Sequence, residues 1–366
     1  MRRRPGRPGR PGRPGRRGGL LFAAGVCGAF AGVLGGSGGP SDLAAAPLFS
    51  ATQRETPNAL ELLPSLLGPD RRFAPARLSV DPLGALFALD RAQGQIQRWD
   101  PESGWIAFGV GAQGGPRSAH LIALEASWGT EILVLDATGP TLHRFDLDGH
   151  FSGSIDLGAA LSGGTDFGQS REPAEADRGI LDAVDVTLGM SGDLFLLDRA
   201  GARLLQFDRD GRYQTDLLRG GTGAQRPDGP TSLVRDRNGD AFLLDPVNGR
   251  VHRVTRQGAL LPAWSCVEGL RPGTAKPGAM AALPRGGLAV AANDGSWIRL
   301  FGLEGDLDYH GEIGALTGGA VADLAAGLDD ILYLARPSSP DVARVRIRYR
   351  GETRDSEPGR AVEPGE

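Results

Sequence analysis

Short apolar runs that close on an aspartate recur along most of this chain. Leu86-Phe87-Ala88-Leu89 ends in Asp90, Ile132-Leu133-Val134-Leu135 in Asp136, Leu194-Phe195-Leu196-Leu197 in Asp198, and Phe242-Leu243-Leu244 in Asp245. The aspartates are separated by 46, 62 and 47 residues. Two further runs, Leu288-Ala289-Val290-Ala291 and Ile331-Leu332-Tyr333-Leu334, place Ala292 and Ala335 at the Asp position, 47 and then 43 residues on. Six units therefore share a period in the mid-forties, one of them carries an insertion, and the last two are degenerate.

Each unit repeats the same internal order. Six residues after the Asp, an aliphatic residue opens a second run: Ile96, Leu142, Leu204, Val251 and Ile298. In the first three units that run ends in an aromatic residue and an acid, Trp99-Asp100, Phe145-Asp146 and Phe207-Asp208. Turn chemistry follows in Asp148-Gly149, Asp210-Gly211, Gln257-Gly258 and Glu304-Gly305. Glycine takes a positive φ without steric cost, so such pairs between apolar runs predict hairpins. Another run precedes each Asp-ended one, as in Ala76–Asp81, and a fourth follows the turn, as in Tyr213–Leu218. Four short strands per repeat of about 40–50 residues mark a β-propeller blade. Gly 57 and Pro 26 suit a chain that needs several tight turns per blade.

The repeat resembles the NHL family of six-bladed β-propellers. Pro75–Asp81, Gly84–Asp90 and Gln95–Asp100 carry that resemblance, which extends over residues 58–350. It implies an all-β fold, a six-bladed β-propeller of four-stranded antiparallel blades at about 75–110, 118–158, 181–219, 230–266, 279–314 and 320–350. The sixth unit stops after its third strand, Val342–Arg350. The run at 58–67 is expected to supply the missing strand and close the ring, which removes the open sheet edges that invite association. Pro64 within it is tolerated in an edge strand.

Charge and composition then divide the chain. Residues 1–17 hold eight Arg and no acid, so removing +8 from the net −4 leaves −12 for the rest. An uncharged apolar run, Leu20–Leu34, follows. A basic start, an apolar stretch too short to span a bilayer and small residues such as Ala44-Ala45-Ala46 read as an export signal. Variants of that reading are a twin-arginine signal at Arg16-Arg17, a lipoprotein cysteine at Cys27 and an uncleaved anchor. The expected organisation is a signal or anchor at 1–46, a linker at 47–57, the propeller at 58–350 and a disordered polar tail at 351–366, in an exported protein of the periplasm, cell envelope or exterior. Membrane contact is expected only through the N-terminal segment. An acidic domain repels phosphate, so no nucleic-acid partner is expected. Cys266 is the only cysteine after the apolar run, which leaves the propeller without an internal disulfide.

Candidate chemistry is sparse. No Ser-His-Asp order, phosphate loop or cysteine pair is present. Among the five His, His143 and His252 occupy equivalent third-strand positions, and only His120 falls on an expected inner strand. The resemblance to propeller amidating lyases, which bind zinc through several inner-strand His, is therefore thin, because zinc needs three or four converging ligands. Regucalcin-like lactonases, propellers of related type, hold calcium through inner-strand acids. That likeness points to Glu125, Asp182, Asp185, Asp236 and Asp323, which join His120 as channel candidates, with turn or strand-end roles as the plain alternative for the acids. The recurrent Asp90, Asp136, Asp198 and Asp245 read as turn-capping residues, and Asp236–Asp240 as a hairpin turn. Arg98, Arg144, Arg253 and Arg344 share one third-strand position, where they form a basic ring or lay their stems over neighbouring strands. The insertion from Ala159 to Arg178 offers Asp166, Arg171, Glu172 and Arg178 as ligand-face candidates, since long insertions between compact elements are often functional loops. The reading is a monomeric binding module for an unknown protein or small-molecule ligand, with no cofactor and with calcium as the low-ranked exception. The alternative is a calcium- or zinc-dependent hydrolase or lyase working in the central channel.

Overall fold

The computed structural model describes residues 55–108, 120–126, 131–162, 179–180, 182–189, 191–218 and 226–350. Strand β1 (Pro57–Leu67) comes first. Blade one is then β2 (Pro75–Val80), β3 (Leu86–Asp90), β4 (Gln95–Asp100) and β5 (Gly104–Phe108). Blade two is β6 (Leu121–Glu125), β7 (Glu131–Asp136), β8 (Thr141–Asp146) and β9 (Phe151–Asp156). A short helix α1 (Leu157–Ser162) opens the insertion. Blade three is β10 (Ala183–Leu188), β11 (Leu194–Asp198), β12 (Arg203–Phe207) and β13 (Tyr213–Asp216). Blade four is β14 (Ser232–Arg235), β15 (Ala241–Asp245), β16 (Arg250–Val254) and a two-residue β17 (Trp264–Ser265). Blade five is β18 (Pro277–Ala282), β19 (Leu288–Ala292), β20 (Trp297–Phe301) and β21 (Leu307–Glu312), followed by one turn of helix, α2 (Gly314–Thr317). The last sheet runs β22 (Asp323–Ala326), β23 (Ile331–Ala335), β24 (Asp341–Tyr349) and then β1, which pairs antiparallel with β24. All six sheets are four-stranded.

The second strand of each blade shows why its apolar run does not alternate with polar residues. Both of its faces are covered. In β3, Leu86 and Ala88 join a buried cluster with Ala325, Ala335 and Val342 of blade six. Phe87 and Leu89 join one with Leu121, Ile132 and Val134 of blade two. The same division occurs at every blade interface, so six buried clusters, one per interface, make the core of the described residues. The cluster between blades six and one is the sixth of these, and it brings the end of the repeat against its beginning.

Three of the recurrent aspartates tie their blade's entry to its turn. Asp90 Oδ1 accepts the amides of Ala74, Ala92 and Gln93. Asp198 Oδ1 accepts those of Asp182 and Gly201, and Asp245 those of Asp228 and Asn248. The turns they brace need a left-handed residue four places after the Asp. Gly94 and Gly249 supply it at φ +61° and +60°, and Ala202 takes the same region at +47°.

Two of the third-strand arginines, Arg144 and Arg253, reach the next blade, and Arg344 reaches the outer strand of its own. Arg144 pairs with Glu131 at 2.6 Å and donates to the Arg209 carbonyl of blade three. Arg253 pairs with Asp240 at 2.8 Å and with Glu304 of blade five. Arg344 donates to the Pro64 carbonyl of β1.

Candidate functional site

The first strand of every blade faces the axis, and its inner edge has no neighbouring strand. Backbone amides and carbonyls on such an edge must find other partners when buried. Charged side chains supply several of them here. Asp323 of β22 accepts the Leu78 amide of β2 through Oδ2 at 2.8 Å. Asp185 of β10 accepts the Leu233 amide of β14 through Oδ2 at 2.8 Å, and its own neighbour's amide, Val186, through Oδ1. Arg77 of β2 crosses the axis: Nε donates to the Ile122 carbonyl at 2.7 Å and Nη2 to the Val184 carbonyl at 3.3 Å. Its Nη1 lies 3.8 Å from Asp323 Oδ1. One guanidinium thus sits between carboxylates from blades three and six.

Above this cluster lies a cavity of about 530 Å³. Arg77, Asp185, Ser232 and Asp323 form its floor. Leu124, Val186, Leu233, Leu324 and Ala325 give it apolar walls, and Ser79, Glu125 and Arg235 add polar groups. Pro82, Arg237, Pro284 and Leu328, all in first-to-second-strand turns, line the other end, which is its mouth. Arg235 is held rigidly there. Its guanidinium lies 3.9 Å over the Phe195 ring and donates to the Gly239 carbonyl.

Burial sets the ionisation of the floor. It pushes the Asp323 carboxyl up to about 7; Arg77 and the Leu78 amide oppose that shift, and Asp185 adds to it. Asp185 is raised by burial as well, against the pull of Arg77. For Arg77, burial works against the charge, but Asp185 and Asp323 outweigh it and its pKa rises. Burial lowers Arg235, with Asp193, Asp236, Asp240 and Glu125 holding its charge in place.

The residues expected at the channel are divided by the structure. Glu125, Asp185 and Asp323 line the cavity. His120 does not: it is exposed just before β6, where its carbonyl accepts the Ala137 amide. Asp182 pairs with Arg199 at 2.8 Å beside the blade-three turn. Asp236 is buried in its own hairpin, where Oδ1 accepts the amides of Asn238 and Asp240 and Gly239 takes φ +86°. Asp166, Arg171, Glu172 and Arg178 lie outside the described residues. Among the described residues the cavity opens through the first-to-second-strand turns, at the other end of the inner strands from the turns that follow each recurrent Asp.

Arg77 is the floor residue that the repeat pattern did not single out. The signal was present in the alignment of inner strands. Arg77 pairs across the ladder with Leu89, the residue before the recurrent Asp. The equivalent residues are Ala123, Asp185, Ser232 and Ala279. In blade six it is Leu324. An arginine and an aspartate at one repeat position, where the other four residues are uncharged, indicate opposed charges beside the axis.

The fold and this cavity define the class as a six-bladed β-propeller with a charged, apolar-walled central pocket. No protein-family model matches the sequence. No curated protein matches it either. Solved structures do share the fold. A catalytically inactive virginiamycin B lyase from Staphylococcus aureus, with quinupristin, matches with a TM-score of 0.56 at 14% identity, over 79% of this chain and 100% of that one. A putative gluconolactonase matches with a TM-score of 0.54 at 14% identity, over 81% and 95%. The PQQ-bound aldose sugar dehydrogenase of Streptomyces coelicolor matches with a TM-score of 0.52 at 14% identity, over 80% and 100%. These likenesses establish the fold and no more.

Proposed function

We propose that this chain is an exported propeller of NHL type that acts as a binding module and takes a small-molecule ligand in the central cavity. The observation that carries this reading is Arg77, fixed between Asp185 and Asp323 under apolar walls. A pocket of several hundred Å³ with a few convergent polar groups is the usual form of a small-molecule site. The alternative, a calcium- or zinc-dependent hydrolase or lyase, needs a divalent cation among these same acids. The donor set does not fit one. Asp185 and Asp323 each spend acceptor capacity on backbone amides, which leaves too few oxygens for a divalent ion, although enough for a single hydrogen-bond donor. Calcium takes six to eight oxygen ligands, and zinc takes three or four ligands.

Thermal unfolding with added calcium or zinc and after chelation, combined with metal analysis of the purified chain, separates the two readings. The binding reading expects no stoichiometric metal and an unfolding midpoint that chelator leaves unchanged. One bound ion per chain with a chelator-sensitive midpoint would overturn it in favour of the metal-dependent enzyme.

A further inference from the structure

We propose that the floor of the cavity receives a compact organic monocation, an alkylammonium group whose chain lies along the apolar wall. The inference rests on the reading of the cavity as a ligand site and names the chemistry of that ligand.

The charge balance of the floor carries it. Two carboxylates, Asp185 and Asp323, face a single guanidinium. Arg77 directs Nε and Nη2 at backbone carbonyls, and its Nη1 is 3.8 Å from Asp323 Oδ1, too far for a hydrogen bond. Asp323 also accepts the Leu324 amide, so two of its roughly four acceptor sites take backbone amides and the rest stand beside the Arg77 charge at the cavity. The other inner strands do not supply the missing cation at the floor. Glu125 on β6 is a further acid. Arg235 on β14 is stacked on Phe195 and faces Asp193, Asp236, Asp240 and Glu125. Strand β18 contributes Met280, Ala281 and Ala282, none of which is charged. At the mouth, Arg237 and Asp81 both line the cavity, with Asp81 Oδ1 taken by the amides of Leu83 and Ala85. A monocation completes the floor with one new ion pair. Above about pH 7, where Asp323 is ionised, an anion would meet two carboxylates in apolar surroundings, where like charges are not screened. Leu124, Val186, Leu233 and Leu324 then offer an alkyl chain its contacts.

Hexylammonium is the probe, with hexanoate and 1-hexanol as controls of equal chain length, titrated calorimetrically into the full chain. The expected result is one hexylammonium site and markedly weaker binding of both controls. Because a bound cation favours ionised Asp323, whose carboxyl sits at about 7, affinity should rise about tenfold from pH 6 to pH 8. Titration in two buffers of different ionisation heat should show proton release at pH 7. Asp323→Asn should weaken binding at least about tenfold at pH 8 and flatten the pH profile. Asp185→Asn serves as the second variant should the first fold poorly, and it too should weaken binding. Hexanoate or hexanol binding as tightly as hexylammonium overturns the cation proposal, as does hexylammonium binding that neither pH nor Asp323→Asn alters. Absence of hexylammonium binding overturns it as well. Ala326→Phe, which fills the cavity from β22, tests the underlying reading separately. Binding that survives this change lies elsewhere and removes the cavity from consideration, whereas a control ligand displaced by it keeps the cavity and discards the cation.

Discussion

Asp323 ties stability to pH in an unusual direction. Its folded pKa, about 7, lies above the ordinary 3.8, so the folded chain binds the proton more tightly than the unfolded chain. Its contribution is complete below pH 4 and is lost as pH rises through about 7. The free energy of unfolding should fall by up to about 1.4 kcal/mol per pH unit within that window, the limit for one extra proton held by the native state. Asp245 acts in the opposite sense and elsewhere on the scale. Its carboxyl is held down at about 2 by hydrogen bonds from His252, Asp228 and Asn248 that outweigh its burial. That contribution is present above 3.8 and is lost as pH falls through about 2. Urea unfolding at pH 5, 6, 7 and 8 isolates Asp323. A falling stability that Asp323→Asn flattens is the expected outcome, and a profile identical in both proteins would refute it.

At the scale of elements, the recurrent aspartate is a clamp between two segments far apart in sequence. Asp245 joins the amide of Asp228, at the blade's entry, to the turn at Asn248. It is fully buried at the end of β15. Asp245→Ala leaves those amides without their acceptor and should cost about 2–4 kcal/mol, the range for stranding buried groups that were bonded to a charge. Denaturant midpoints measure it. Blade five does without the clamp, with Ala292 at that place. There the Asn293 amide donates to the Lys276 carbonyl, a bond that blades one to three make beside their aspartates and that Pro246 denies to blade four. A cost under about 0.5 kcal/mol for Asp245→Ala, the level of an indifferent surface change, would show that the clamp is dispensable in blade four as well.

The whole molecule depends on β1 more than on any internal strand. Leu66 of β1 is buried in the cluster between blades six and one, and Arg348 pairs with Glu61 at 2.5 Å across the ladder. Removing residues 55–67 leaves β24, nine residues long, as an open edge. Such edges pair with other chains. The truncated chain is expected to self-associate and to unfold at a lower temperature, as followed by light scattering on a sizing column and by thermal melts. A monomer with an unchanged midpoint would show that the outermost strand is dispensable.

Much of this architecture was legible in residues alone. The run Leu86–Asp90 and its five relatives predict strands, turns and blade number because each blade solves the same local problem: a buried second strand, a capped turn and a glycine where φ is positive. Asp90 reads correctly as a capping residue for that reason. The candidate site was legible only in part. Glu125, Asp185 and Asp323 stand on inner strands and reach the cavity, whereas Asp182 and Asp236, equally acidic and close to them in sequence, turn to Arg199 and to a hairpin. Sequence spacing gives the strand but not which acid faces the axis. Arg77 makes the difference plainest. Along the chain it is one polar residue in an apolar run, 108 positions from Asp185 and 246 from Asp323. Closure of the ring places the three together, since opposite blades meet only at the axis. The sequence by itself determines the blade, because its causes are local and repeated. The charged floor, and with it the chemistry of any ligand, is decided by tertiary structure, because it exists only where strands distant in sequence converge and burial makes their charges act on one another.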